Sequence, residues 1–173
     1  MAVDVLKAKI RDVPDFPEPG IVFKDIMPLL ADPTCLHETV GLLAEWAEPR
    51  RPDVILGAEA RGFILGAALA YALDCGFVAA RRPGKLPWKT VSATYALEYG
   101  ENSLELHADA ITSGQRVLVH DDVLATGGTA RAICDLAEQL GGEVVGVAFV
   151  IELEFLEGRK QLDGRDVHSL ITY

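Results

Sequence analysis

The sequence predicts an α/β fold in which a mainly parallel sheet is flanked by helices. Three observations predict it: short runs rich in valine and isoleucine, helical periodicity between them, and joints punctuated by glycine and proline. At 173 residues, half of them apolar, the chain has the size of one domain and enough apolar surface for a continuous core. We therefore expect a single domain over residues 1–173.

Residues 3–13 read as a first helix, ended by Pro14 and the DFPEPG stretch. Asp32 followed by Pro33 has the form of an N-cap with proline in the first helical position, opening a helix that runs to about Trp46. Residues 53–57 (DVILG) form a short apolar strand, 61–73 a helix and 77–80 a second strand, which is one strand-helix-strand unit. After a loop between Pro83 and Pro87, TVSATYALEY and SLELHA read as a hairpin turning at Gly100-Glu101-Asn102. Residues 116–120 (RVLVH) are a buried strand. Residues 129–140 are a helix with Ile133, Leu136, Ala137 and Leu140 on one face, and Gly141 stops it. Residues 143–151 are another buried strand.

Charge narrows the function classes. Asp and Glu number 26 against 16 Lys and Arg, and the resulting net charge of -10 repels nucleic acid and anionic membranes over most of the surface. A phosphate site must then be built locally. No segment approaches the roughly 18 to 20 apolar residues of a membrane span, and MAVDVLKAKIRDV lacks the apolar centre of a signal peptide. A cytoplasmic protein is expected. Cys35, Cys75 and Cys134 are odd in number, have no zinc-like spacing and lie in apolar helical patterns, so they read as buried thiols.

The strongest chemical signal is VLVHDDVLATGGT, residues 117–129. An apolar strand runs into two acids, a short loop, paired glycines and a helix. In parallel sheets ligands bind at the carboxyl ends of strands, and a helix opening after a glycine turn presents free N–H groups to an anion. Gly127 and Gly128 let backbone approach a phosphate, and Thr126 and Thr129 add hydroxyl donors. The loop lacks the lysine of a GxxxxGK[ST] loop and the spacing of GxGxxG. Adjacent carboxylates suit vicinal ribose hydroxyls and a hydrated Mg2+. A sugar phosphate meets both halves of the motif.

With these residues in view, the sequence resembles the type I phosphoribosyltransferases, whose signature for 5-phosphoribosyl-1-pyrophosphate (PRPP) is an acid pair before a TGGT-type loop. DDVLATGGT resembles the adenine-using members in particular. DFPEPGIVFKDIMPLL, GAEARGFILGAALA, RRPGKLP and YALEYGENSLELH agree in order and spacing, so the resemblance covers nearly the whole chain. It implies the type I fold, with a small N-terminal hood from about residues 1–30 and a flexible hairpin loop. It also implies an Mg2+-dependent transfer of the phosphoribosyl group from PRPP to adenine, giving AMP and pyrophosphate, in a homodimer.

The same resemblance assigns roles. Asp121, Asp122, Ala125, Thr126, Gly127, Gly128 and Thr129 would bind PRPP, with Mg2+ carried by PRPP and water near the two acids rather than by direct protein ligands. Arg61, Arg81 and Lys85 would neutralise the leaving pyrophosphate, and the peptide before Arg61, Glu59-Ala60, is one the family often strains. Glu98 would sit near the reacting nitrogen of the purine on a hairpin that closes over the site and excludes water. Phe23 and Val123 would cover the two faces of the purine, while backbone groups of Val22 and Lys24 would read its edge. Ala125 stands where transferases for 6-oxopurines carry an aspartate, which favours adenine. Two residues depart from the pattern: Trp88 in the basic loop, and His120, expected to be a hydrogen-bonding support rather than a catalyst.

Overall fold

The computed structural model describes residues 2–96 and 101–173. In chain order the elements are α1 (Ala2–Ala8), β1 (Arg11–Pro14), β2 (Val22–Asp25), α2 (Met27–Ala31), α3 (Pro33–Ala47), β3 (Val54–Ala58), α4 (Arg61–Ala72), β4 (Gly76–Ala80), β5 (Thr90–Ala96), β6 (Glu101–His107), β7 (Arg116–Leu124), α5 (Gly128–Gln139), β8 (Glu143–Glu152) and β9 (Val167–Thr172). A five-stranded sheet, all parallel, has the order β4-β3-β7-β8-β9. The expected α/β architecture is the observed one.

Side chains on the central strands alternate between two cores. Leu56, Val117, Val119, Val147 and Phe149 face α5 and the β5-β6 hairpin, meeting Ile133, Leu136, Ala137, Leu104 and Leu106. Ile55, Leu118, Ala148 and Val150 face the other way onto Leu43 of α3 and Leu65 and Leu69 of α4. With both faces covered, the middle positions of these strands are apolar on both sides, as in Val117–Val119 and Val147–Ile151, which is why they read as continuous runs. Leu6 of α1, Ile26 and Leu29 join the second core, so the N-terminal segment is packed into the fold. Helix α3 starts as expected: the Asp32 carboxylate accepts the N–H of Thr34 at 3.0 Å and of Cys35 at 3.1 Å.

The structure corrects several expectations. Residues 3–13 are not one helix: α1 ends at Ala8 and residues 11–14 form β1, paired antiparallel with β2 from Arg11↔Asp25 to Pro14↔Val22. Apolar residues at Val3, Leu6, Ile10 and Val13 keep helical spacing across the break, and the competing partner lies beyond the proline stretch, out of reach of a local pattern. The hairpin exists, but Ala96 pairs with Glu101, so Glu101 and Asn102 belong to a strand rather than to the turn; residues 97–100 lie outside the described residues. Strand β7 continues four residues past His120, carrying Asp121 and Asp122 within it. Strand β9, not anticipated, forms the sheet edge beside β8. Cys35 and Cys134 are buried, whereas Cys75 lies between α4 and β4 and is only partly so. Among the described residues no helix is long and apolar enough to cross a membrane.

Candidate active site

The sheet order places a crevice. From β3 the chain leaves to β4 at the edge and returns to β7 on the other side of β3, so the connections diverge at the carboxyl ends of β3 and β7. Glu59, Ala60 and Arg61 follow β3, Asp121 and Asp122 end the inner part of β7, and residues 125–129 lead into α5. The Glu59–Ala60 peptide is cis, the bond singled out by resemblance. A cavity of about 350 Å³ opens there, lined by Arg61, Asp121, Asp122 and Thr129 from the sheet side and by Tyr95, Ser103 and Leu104 from the hairpin.

Three charged side chains meet in this crevice. Arg61 Nε pairs with Asp122, whose side chain is 5% exposed, while Arg61 itself is 40% exposed. The Asp121 carboxylate accepts the Asp122 N–H at 2.8 Å. Burial, and then the Asp122 charge beside it, push the Asp121 carboxyl well above the usual carboxylate range. Such an acid pair gains from a cation or from donors such as hydroxyls. The close approach depends on Gly62: a Cβ there would stand 2.9 Å from Asp121 Oδ1 and 3.2 Å from its Cα. Any side chain would push the start of α4 away from β7.

Helix α5 opens at Gly127, in the left-handed region at φ 85°, with no side-chain cap and no acid in its first turn. Its first N–H groups are therefore free for an anion. The Thr129 hydroxyl lies 3.0 Å from the Tyr95 hydroxyl, which ties the hairpin to this turn. Gly127 is closed off on its side-chain side by the Gly158 backbone, so its lack of a Cβ serves the seating of the loop.

The basic loop is tied to the end of β3 through Glu59. Arg81 donates to Glu59 at 2.8 Å and to the Lys85 carbonyl at 3.2 Å, and the Arg82 N–H donates to the same Glu59 carboxylate at 2.9 Å. The bond from Arg81 holds the Glu59 carboxyl below its ordinary value. Arg82, which belongs to the basic patch of the sequence but was assigned no role there, lines the cavity together with Glu59; Lys85 and Trp88 are exposed, Trp88 by 63%. Glu98 lies outside the described residues.

The base-side residues gather around β2. The Arg61 guanidinium carbon sits 4.9 Å from the centre of the Phe23 ring, and Phe16 meets that ring edge-on at 5.2 Å. Val22, Lys24 and Thr126 line a second cavity of about 650 Å³ with Ile21, Leu153 and Tyr173. Val123 is partly buried against the second core, and Ala125 sits in the loop with its carbonyl on Gly158. His120 is fully buried, and neither ring nitrogen meets a hydrogen-bond partner among the described residues. Burial lowers its pKa to about 4 against the pull of Asp122, leaving a neutral ring. Tyr95, Glu59 and Arg82 had no role assigned from sequence; the local signal for Arg82 was its place in RRPGKLP, but which of two adjacent arginines faces the crevice depends on the β6 partner of Arg81.

A parallel sheet with an acid pair and an uncapped glycine turn at its switch point defines a sugar-phosphate transferase site. The sequence model of the phosphoribosyl transferase domain family matches residues 35–169. The adenine phosphoribosyltransferase of Rubrobacter xylanophilus is 58% identical over 172 residues, 99% of this chain and 93% of that protein. The crystal structure of the adenine phosphoribosyltransferase from Thermoanaerobacter pseudethanolicus superposes with a TM-score of 0.97 at 52% identity, over 99% of each chain. The enzyme from Saccharomyces cerevisiae, complexed with an imino-altritol bisphosphate and adenine, gives 0.93 at 38% identity over 98% of each chain. The chain belongs to the phosphoribosyltransferase family, among its adenine phosphoribosyltransferases.

Proposed function

We propose that this chain transfers the 5-phosphoribosyl group of PRPP to adenine, forming AMP and releasing pyrophosphate. The single observation that carries the reading is the meeting, in one crevice, of Arg61, the Asp121-Asp122 pair and the uncapped start of α5. A base nitrogen bonds to C1 of the ribose and gives up its proton as the bond from C1 to the pyrophosphate oxygen breaks. Positive charge develops on the sugar and negative charge on the leaving group, so catalysis is mainly electrostatic. In this reading Arg61, Arg81 and Lys85, joined by Arg82, neutralise pyrophosphate. Asp121 and Asp122 hold the ribose, and residues 125–129 anchor the 5-phosphate as a remote handle. Val22, Phe23, Lys24 and Val123 hold adenine, and Glu98 acts at its reacting nitrogen.

The acid pair fits an Mg2+ carried by PRPP and water: Asp121 is held above its ordinary pKa by burial and Asp122, a strain that a nearby cation relieves. Bound there, Mg2+ supplies charge neutralisation of the pyrophosphate. We further propose that residues 1–30 serve as the hood of a single catalytic unit, and that the protein is a cytoplasmic homodimer. Sedimentation equilibrium tests the last point, a monomer mass overturning it.

The decisive assay offers PRPP, Mg2+ and each free nucleobase in turn. Adenine should be preferred over hypoxanthine by roughly 1 to 3 kcal/mol, because a pocket edge that accepts from a 6-amino group leaves a 6-oxo group unpaired. Comparable AMP and IMP formation in direct competition overturns the adenine assignment and leaves the transferase reading standing.

A further inference from the structure

The loop at residues 125–129 rests on backbone supplied from elsewhere in the chain. A Cβ on Gly127 would lie 2.3 Å from the Gly158 carbonyl oxygen, and a Cβ on Gly158 would lie 2.1 Å from the Ala125 carbonyl oxygen and 3.0 Å from the Gly127 nitrogen. Each glycine leaves the space that the other's backbone fills, and both are buried. Gly158 begins a 3-10 turn, Gly158–Leu162, whose last residue is 1% exposed in the core. The support is thus anchored at its far end by apolar packing.

Its near end is held by charge. Arg159 donates from Nε and Nη2 to the two oxygens of Glu152 at 3.0 and 2.5 Å, and from Nη1 to the Val167 carbonyl at 2.9 Å. Ser169 of β9 donates to Glu152 Oε2 at 2.7 Å. The Glu152 side chain is 7% exposed, and the Arg159 bond holds its carboxyl below the usual range. A forked, charge-assisted pair of this kind fixes direction as well as distance. Glu152 ends β8 opposite Leu124 of β7, and the Leu153 N–H donates to the Leu124 carbonyl at 2.9 Å. The loop and its support therefore hang from the same two strand ends.

We propose that Gly158, fixed by Glu152, Arg159 and Ser169, is a positioning residue that sets the 125–129 loop for the 5-phosphate of PRPP. The inference rests on reading that loop as the phosphate cradle. A displaced loop weakens a contact made equally before and during the reaction, so KM for PRPP should move while turnover at saturation does not.

The test compares Gly158→Ala, Glu152→Gln, Arg159→Ala and Arg159→Lys with Thr129→Ala, a direct probe of the cradle, all on the full chain. Gly158→Ala should raise KM for PRPP by about tenfold to a hundredfold, as misplacement of a binding group by an ångström does. KM for adenine and kcat should stay near the parent values. Glu152→Gln and Arg159→Ala should follow in the same direction, with Arg159→Lys recovering part of the loss because charge survives without the fork. If Gly158→Ala does not fold, Glu152→Gln and Arg159→Ala decide. Unchanged PRPP KM in folded support variants, with a raised value in Thr129→Ala, overturns the support role alone. Unchanged PRPP KM in every variant overturns the cradle reading and the support with it.

Discussion

Arg61 is held between the Asp122 carboxylate and the Phe23 ring, which places one guanidinium at the boundary of the sugar and base regions. Replacing Asp122 by Asn keeps the shape and removes the charge. Arg61 is 40% exposed and can be solvated by water, so the loss of stability should be small, while kcat/KM should fall by at least about a hundredfold if the acid acts on the transition state. Thermal melts and steady-state kinetics on one preparation check this; equal activity would remove Asp122 from the ribose site. Gly127→Val behaves differently, because its side chain would meet the Gly158 carbonyl before any phosphate arrived. It should lose stability and PRPP affinity together. Glu98→Ala should lower turnover with PRPP binding nearly intact, and a collapse of PRPP affinity at preserved turnover would contradict its role at the base. Asp121, Asp122, Arg61 and Thr129 stood out in the sequence because they adjoin strand ends and helix starts, which are local features. Gly158 gave no such signal: its constraint is the backbone of a loop distant in sequence.

At the scale of elements, α3 offers a pH test. The bond from Lys9, and then the N–H of Cys35, lower the Asp32 carboxyl from its ordinary 3.8 to about 2. The folded value is the lower one, so the stabilisation is complete above 3.8 and disappears as pH falls toward about 2. Asp32→Ala should accordingly lower Tm near neutral pH, with the gap to the parent protein closing in acid; a constant gap would show that the carboxylate charge is not what caps the helix. The hairpin offers a second test. Lys85 and Lys89 are exposed, and tryptic cleavage after them should slow when PRPP and adenine are bound if the hairpin closes over the site. Equal rates with and without ligands would argue for a fixed hairpin. The N-cap of α3 was legible because Asp-Pro is a local code. The β1-β2 ribbon was not, because Val13 keeps the helical spacing of α1 and only its partner Phe23 makes it a strand.

Across the whole molecule, the sheet and its two cores carry stability separately from the site. Phe149 is fully buried among strand and helix side chains, and Phe149→Ala should cost about 3 to 5 kcal/mol. Urea denaturation measures it, and the folded fraction should keep the parent PRPP KM; a changed KM would mean that the core also tunes the loop. The net charge of -10 is compatible with a ligand as anionic as PRPP because Arg61 and Arg82 line one crevice, with Arg81 beside it on Glu59. The sequence by itself determined the alternation of apolar strands and amphipathic helices, the helix starts, and the acid-pair and glycine motif, since each is written in residues a few positions apart. Only the tertiary structure decided which arginine faces the crevice, where β7 ends, that the N-terminal segment contains a ribbon, and that Gly158 seats the phosphate loop. Those outcomes depend on which distant backbones pair and how closely they approach, and periodicity carries no record of a partner's distance.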